Sequence, residues 1–418
     1  MRKEVCWGTI MAMLCLLIPT GRLAAQNTTS SPYSYYGIGE LLRGGNAQTA
    51  GMGGTYQAFK GKNSINFSNP ASLTALDSMK FIFNVGGSVK FTEMKQQGNT
   101  DDFSDYNFTG LEFGFRVAPN WYTGLGLVPY SSLGYKVQQQ NMVEGGTEIY
   151  NSLLEGTGGF NQLVWANALQ LGKGLSLGIN AIFLFGTNDH NETILLNDDA
   201  AFAYHHKERL NVTDVYFNLG VQYETPLTTN WGMSLGATFQ PGNKLSAKYS
   251  TYTSSSQSSD DEFDTETKGN MKLPAEVGLG VGFCYKDKLW MGADVLHQQW
   301  SEADLLRGED YLKDRTRFSL GAEYRPQEYS RSLWKQMKYR VGGFYDTGYF
   351  QLKGEDITSY GVSLGLGIPM GKGKGWINMA LEYGQTGTTN NSLVQENFTR
   401  ITLGISLMET WFAKRKYD

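Results

Sequence analysis

Cysteine is nearly absent from this chain, with three among 418 residues. Cys6 and Cys15 lie in a stretch that reads as a leader, so Cys284 stands alone afterwards, which excludes an intramolecular disulfide and a cysteine metal cluster. Histidine is as scarce, with His190, His205, His206 and His297 the four. No serine or carboxylate is spaced to organise them, so no enzyme, metal site or cofactor is expected. Basic excess is lacking too: 36 Lys and Arg face 40 Asp and Glu. The net charge of -4 becomes about -6 once Arg2, Lys3, Arg22 and Glu4 are removed with the leader, which argues against a nucleic-acid partner. Beyond the N-terminus, no apolar run is long enough for a membrane helix.

Glycine and aromatics are present instead: 51 Gly, 24 Tyr and 22 Phe against 10 Pro. Residues 1–26 read as a signal peptide, with Arg2 and Lys3, an apolar core around Met11 to Pro19, and Ala24 and Ala25 before Gln26. Cys15 sits inside that core rather than at its end, which speaks against a lipoprotein anchor.

Further along, Leu175, Leu177, Ile179, Ala181, Phe183 and Phe185 alternate with Ser176, Gly178 and Asn180. Alternation of this kind marks a strand with one oily and one small or polar face. It recurs near 79–93, 107–118, 121–138, 147–171, 175–196, 200–222, 231–253, 267–285, 289–300, 315–326, 338–350, 357–369, 376–387 and 398–408. The expectation is an all-β fold: a single transmembrane antiparallel β-barrel of about 14 strands over residues 79–410. The mean hydropathy of -0.36 does not conflict with that, since only every second residue meets lipid. Short connectors such as Lys286-Asp287-Lys288 alternate with long polar ones such as 301–314, which puts the short set in the periplasm. Trp121, Trp231, Trp290 and Trp376 then sit at girdle depth, although strict alternation turns Trp290 and Trp376 inward.

Residues 27–78 lack alternation and are rich in Gly, Ser and Asn. They read as a compact N-terminal plug, and matching glycines (Gly278, Gly280 and Gly282; Gly361, Gly365 and Gly367) line strand faces that another backbone can approach. Residues 411–418 read as a periplasmic tail. Glu112 and Arg116 fall on the lumen side of one strand and are expected to pair with each other or with the plug.

Gly51-Met52-Gly53-Gly54 and Asn69-Pro70-Ala71, placed ahead of about 14 strands, resemble the FadL family of outer-membrane transporters of hydrophobic compounds. So do Gly124-Leu125-Gly126-Leu127-Val128-Pro129-Tyr130 on the third strand and Thr157-Gly158-Gly159 before the lower half of the fourth. The opening Ser31-Pro32-Tyr33-Ser34-Tyr35-Tyr36-Gly37-Ile38-Gly39 and the ending Glu409-Thr410-Trp411-Phe412-Ala413-Lys414-Arg415-Lys416 resemble a divergent subgroup of it. The resemblance implies that Gly51, Met52, Gly53, Gly54, Asn69, Pro70 and Ala71 belong to the plug, and that the wall opens sideways near Pro129 and Tyr130. Proline removes a ladder donor, so the wall kinks or gaps there, or else the strand ends at the rim. The implied function is passive uptake of small hydrophobic molecules, fatty-acid-like or aromatic, across the bacterial outer membrane, with lateral or plug-gated release. Outer-membrane lipids, lipopolysaccharide and a hydrophobic ligand are the implied partners. The alternative is a barrel of the same kind serving as a non-transporting subunit of a protein secretion or assembly complex. Inner faces rich in Gly, Ser, Asn, Glu and Gln show no apolar pocket of the sort a fatty acid needs.

Overall fold

The computed structural model describes residues 29–42, 45–142, 149–196, 203–255, 262–306, 310–371 and 374–410. The leader and the C-terminal tail lie outside the described residues. Fourteen antiparallel strands form one closed wall: β1 (Lys80–Gln96), β2 (Asn99–Ala118), β3 (Trp121–Met142), β4 (Ile149–Leu171), β5 (Leu175–Leu196), β6 (Ala203–Pro226), β7 (Trp231–Gln240, resuming as Asn243–Ser255), β8 (Glu262–Leu273, resuming as Glu276–Tyr285), β9 (Leu289–Gln298), β10 (Arg315–Tyr324), β11 (Lys338–Asp346), β12 (Ser359–Met370), β13 (Gly375–Thr386) and β14 (Gln395–Thr410). β14 pairs with β1 from Gln395 opposite Lys95 to Thr410 opposite Lys80, which removes the sheet edge. Two strands bend where prolines take donors out of the ladder: Pro241-Gly242 in β7 lies against Pro274-Ala275 in β8, between paired stretches on either side.

The two-residue rhythm sets the faces. Leu177, Ile179, Phe183, Phe217, Leu219, Leu320, Val362, Leu364, Leu403 and Ile405 are exposed around the outside, while Ser176, Asn180, Asn218, Ser319, Ser363 and Ser406 are buried inside. Such a belt, polar within and apolar without, requires lipid, and the chain is an outer-membrane β-barrel. Trp121 is exposed at the periplasmic rim, whereas Trp376 is buried and Trp290 packs on Phe59 at 4.8 Å between ring centres. The two inward tryptophans thus follow the alternation.

The wall is uneven in height. β2 to β6 have 20, 22, 23, 22 and 24 residues, against 10, 10 and 9 in β9, β10 and β11. Since about 9–11 residues cross a bilayer, roughly ten residues of each tall strand stand beyond it on the outer side.

Candidate functional site

Residues 29–42 and 45–76 lie inside the barrel, and their contacts with wall glycines explain their placement. A Cβ at Gly342 would overlap the Met52 carbonyl carbon, one at Gly236 the Gln57 carbonyl, one at Gly178 the Ala71 amide, and one at Gly220 the Asn69 side chain. Of the six wall glycines read from sequence, Gly278, Gly280 and Gly365 face this segment, at Gln57 and Gly51; Gly282, Gly361 and Gly367 leave room for Trp290, Phe344 and Arg340. Gly53, at φ +68°, needs its glycine for conformation as well, and it donates its N–H to Ser363 Oγ at 2.8 Å.

Polar side chains of the wall fix the segment's backbone. Asp294 accepts the amides of Tyr56 and Gln57 at 2.6 and 2.8 Å, Arg317 donates to the Gly53 carbonyl at 2.9 Å, and Asn180 to the Phe67 carbonyl at 2.7 Å. Asn69 caps the turn Pro70–Ala75 by accepting the Ala71 amide at 3.2 Å and donates to the Gln57 carbonyl at 2.8 Å. The seven residues Gly51, Met52, Gly53, Gly54, Asn69, Pro70 and Ala71 all stand within this packed segment.

Three groups of ion pairs stand inside the barrel. Asp346 holds Arg315 at 2.6 Å and Arg317 at 3.4 Å near the outer end; Glu323 holds Arg340 at 2.8 Å and Lys338 at 3.2 Å near the periplasmic end and accepts from Gln48 of the inner segment. Glu40 meets Lys90 at 3.0 Å and Arg400 at 3.4 Å. Burial pushes the Glu40 carboxyl up, but the two cations and a bond from Thr29 outweigh it and bring it down to about 2.

Pro129 lies within the third strand and not at its end. The strand does not break there: it continues to Met142, with a one-residue bulge at Tyr130 in its register with β4. Its other edge separates instead. β2 and β3 pair only up to Leu111 opposite Leu127; beyond that, β2 stays with β1 and β3 with β4. Into this seam comes a two-residue strand of the inner segment, Glu40–Leu41, pairing with Ser132 and Ser131, and Leu42 donates to the Tyr130 carbonyl at 2.9 Å. Gly159 and Gly186, opposite Ser132 and Phe160, carry the same bend across β4 and β5, because a Cβ on either would strike the neighbouring backbone.

Behind the seam lies a cavity of about 140 Å³, lined by Leu41, Val128, Pro129 and Tyr130 on one side and Glu276, Arg315 and Arg317 on the other. Above it, Tyr36 stacks on Phe350 at 5.4 Å and meets Tyr311 at 5.3 Å, while Trp300 lies 4.6 Å from Tyr349, whose hydroxyl donates to the Gly39 carbonyl at 2.5 Å. Outer loops and the Tyr-rich start of the inner segment thereby cover the lumen. The only advance signal of this cap is the density of tyrosines in residues 33–36.

Glu112 and Arg116 do not meet. Glu112 is buried and accepts from Asn84 at 3.0 Å, whereas Arg116 donates to the Ala118 carbonyl at 3.1 Å and to the Pro119 carbonyl at the periplasmic turn, over the Tyr122 ring. Four residues make a neighbouring pair on a helix but lie about 13 Å apart along a strand. Arg116 is a rim charge, not a lumen partner.

The sequence model of the BamG family matches residues 6–418. The chain belongs to the BamG family. No curated protein matches the sequence. Among solved structures, this BamG-family barrel resembles the toluene transporter TodX of Pseudomonas putida, with 18% identity over 89% of this chain and 100% of that one at a TM-score of 0.60. A FadL homologue of Pseudomonas aeruginosa matches with 14% identity over 89% and 99% at 0.61, and the toluene transporter TbuX of Ralstonia pickettii with 17% over 88% and 98% at 0.58. At these identities the likeness is one of fold: this BamG-family chain has the FadL-type barrel and is divergent within it.

Proposed function

We propose that this barrel works as a non-transporting subunit of an outer-membrane protein secretion or assembly complex. The observation that carries the reading is the closed and charged lumen. An inner segment is bonded to the wall from the aromatic cap to the periplasmic end, and the space left holds Glu276, Arg315 and Arg317, which a hydrophobic cargo would have to desolvate. The tall wall of β2 to β6 adds a projecting surface beyond the bilayer, which suits a protein partner. Solubilising the native membrane in mild detergent and purifying the chain tests this: a stoichiometric protein partner is expected, and purification as a lone barrel carrying hydrocarbon or lipid would overturn it.

Passive uptake of small hydrophobic molecules is the second reading, and the seam favours it. Val128, Pro129 and Tyr130 connect the wall opening to the cavity, and the neighbours TodX and TbuX are toluene transporters. On this reading, deleting residues 44–71 changes uptake or ligand binding by a folded barrel; unchanged uptake sinks it.

A further inference from the structure

Two pairs of lysines face each other across β7 and β8 beyond their proline breaks, Lys248 opposite Lys268 and Lys244 opposite Lys272. Leu245, Ala247, Met271 and Leu273 alternate with them and are buried, so the lysines point outward, toward the membrane side. Like charges directly opposite on a sheet repel, so an array of this kind calls for a counter-charge. The protein supplies part of it. Glu266 reaches Lys248 at 2.9 Å and Lys268 at 3.8 Å, and Glu302 reaches Lys272 at 3.2 Å. Lys268 is left with an 82% exposed side chain, and Lys244 has no carboxylate partner among the described residues. Next to them on β6, Lys207 and Arg209 share the single carboxylate of Asp189. Residues 243–248 and 268–273 thus hold four lysines and no carboxylate of their own, with Asp214 of β6 against the Ser246 amide, while the acids of the same hairpin, Asp260, Asp261, Glu262, Asp264 and Glu266, lie farther along the sequence toward its tip.

Depth identifies the anion. The exposed apolar belt reaches Val215 on β6, Phe239 on β7 and Val277 on β8. Lys244 and Lys272 each lie five residues beyond it, roughly 10–15 Å higher once strand tilt is allowed for. That is the level of the phosphates of the outer leaflet, and lysine stems are long enough to reach down from it along the apolar surface.

We propose that Lys244, Lys248, Lys268 and Lys272 form a binding site for the phosphates of an outer-leaflet glycolipid of the lipopolysaccharide type. The lipid's acyl chains would lie along the belt of β6 to β8 while its phosphates take the counter-charge position between the lysine pairs.

The test uses the full chain in mild detergent and bisphosphorylated lipid A as the probe, with retained lipid read by native mass spectrometry. Lys244→Gln with Lys268→Gln should bind it roughly ten- to thirtyfold more weakly, more so at low salt. Lys173→Gln with Lys286→Gln removes the same charge at periplasmic turns and should leave binding unchanged. Dephosphorylated lipid A should be retained poorly by the unaltered protein, and millimolar inorganic phosphate should not displace the lipid. Equal retention by the Lys244/Lys268 variant, with heat-modifiable migration showing it folded, would overturn the site. Displacement by inorganic phosphate would overturn the lipid in favour of a small anion.

Discussion

Asp346 is the point on which the arginines of the upper lumen converge, with Arg315 bound through both carboxylate oxygens and Arg317 beside it. A buried carboxylate between two guanidinium groups contributes little net stability against an apolar replacement of the whole group, yet its removal alone leaves two cations uncompensated. Asp346→Asn should therefore destabilise the barrel by about 3–5 kcal/mol, read as a lower urea midpoint for loss of heat-modifiable migration; an unchanged midpoint would show that solvent reaches these arginines. Gly342 argues a different effect at the same scale. Its missing side chain is where Met52 and Gly53 rest, so Gly342→Val should leave the barrel folded but expel the inner segment, at a cost of about 1–3 kcal/mol or more. Limited proteolysis should then cut between residues 46 and 60, where the unaltered protein resists; equal resistance would mean that the wall yields instead.

Among the elements, the Glu40–Leu41 strand depends on the charge of one carboxyl. It covers the seam by two backbone pairs, and Glu40 anchors it to Lys90 and Arg400. Because the folded carboxyl titrates near 2 against 4.5 when free, its stabilisation is complete above about pH 4.5 and is lost as pH falls toward 2. Acidification from pH 5 to 2.5 should lower the hydrogen-exchange protection of Leu41 and Leu42 once the intrinsic rate at each pH is divided out, and Glu40→Gln should show the lowered protection already at pH 7 and remove its pH dependence. The strands of the wall were legible in sequence because lipid outside and a packed interior impose a period of two on every one of them, and even the irregular fourth keeps it as Ile149–Leu171. The seam was legible only as a proline. Whether β2 and β3 pair beyond Leu127 depends on a bend shared by Tyr130, Gly159 and Gly186 on three strands, and no single strand's pattern records that. The Glu40–Leu41 pairing is shorter still, two residues without alternation, and its partner lies some 90 residues away.

For the molecule as a whole, the inner segment decides whether a 14-stranded wall encloses a pathway. The wall charges Asp346, Arg315, Arg317, Glu323, Arg340 and Lys338 line a lumen that would be wet if the segment were gone, because charged side chains left facing an open lumen are solvated by water. Wall closure does not depend on the segment, since β14 and β1 pair along sixteen residues of β14. Deleting residues 44–71 should thus yield a folded barrel that conducts. In planar bilayers the unaltered chain should give a baseline without steps, and the deletion variant discrete ionic channels that favour neither large organic cations nor anions strongly, given the mixed charges left inside. The subunit reading adds a second expectation to the same variant. A partner held by the tall outer wall of β2 to β6 should still co-purify with it, whereas a partner that reads the inner segment should be lost. A variant that folds yet stays silent in bilayers would mean that the aromatic cap of Trp300, Tyr349 and Phe350 seals the barrel without help from below.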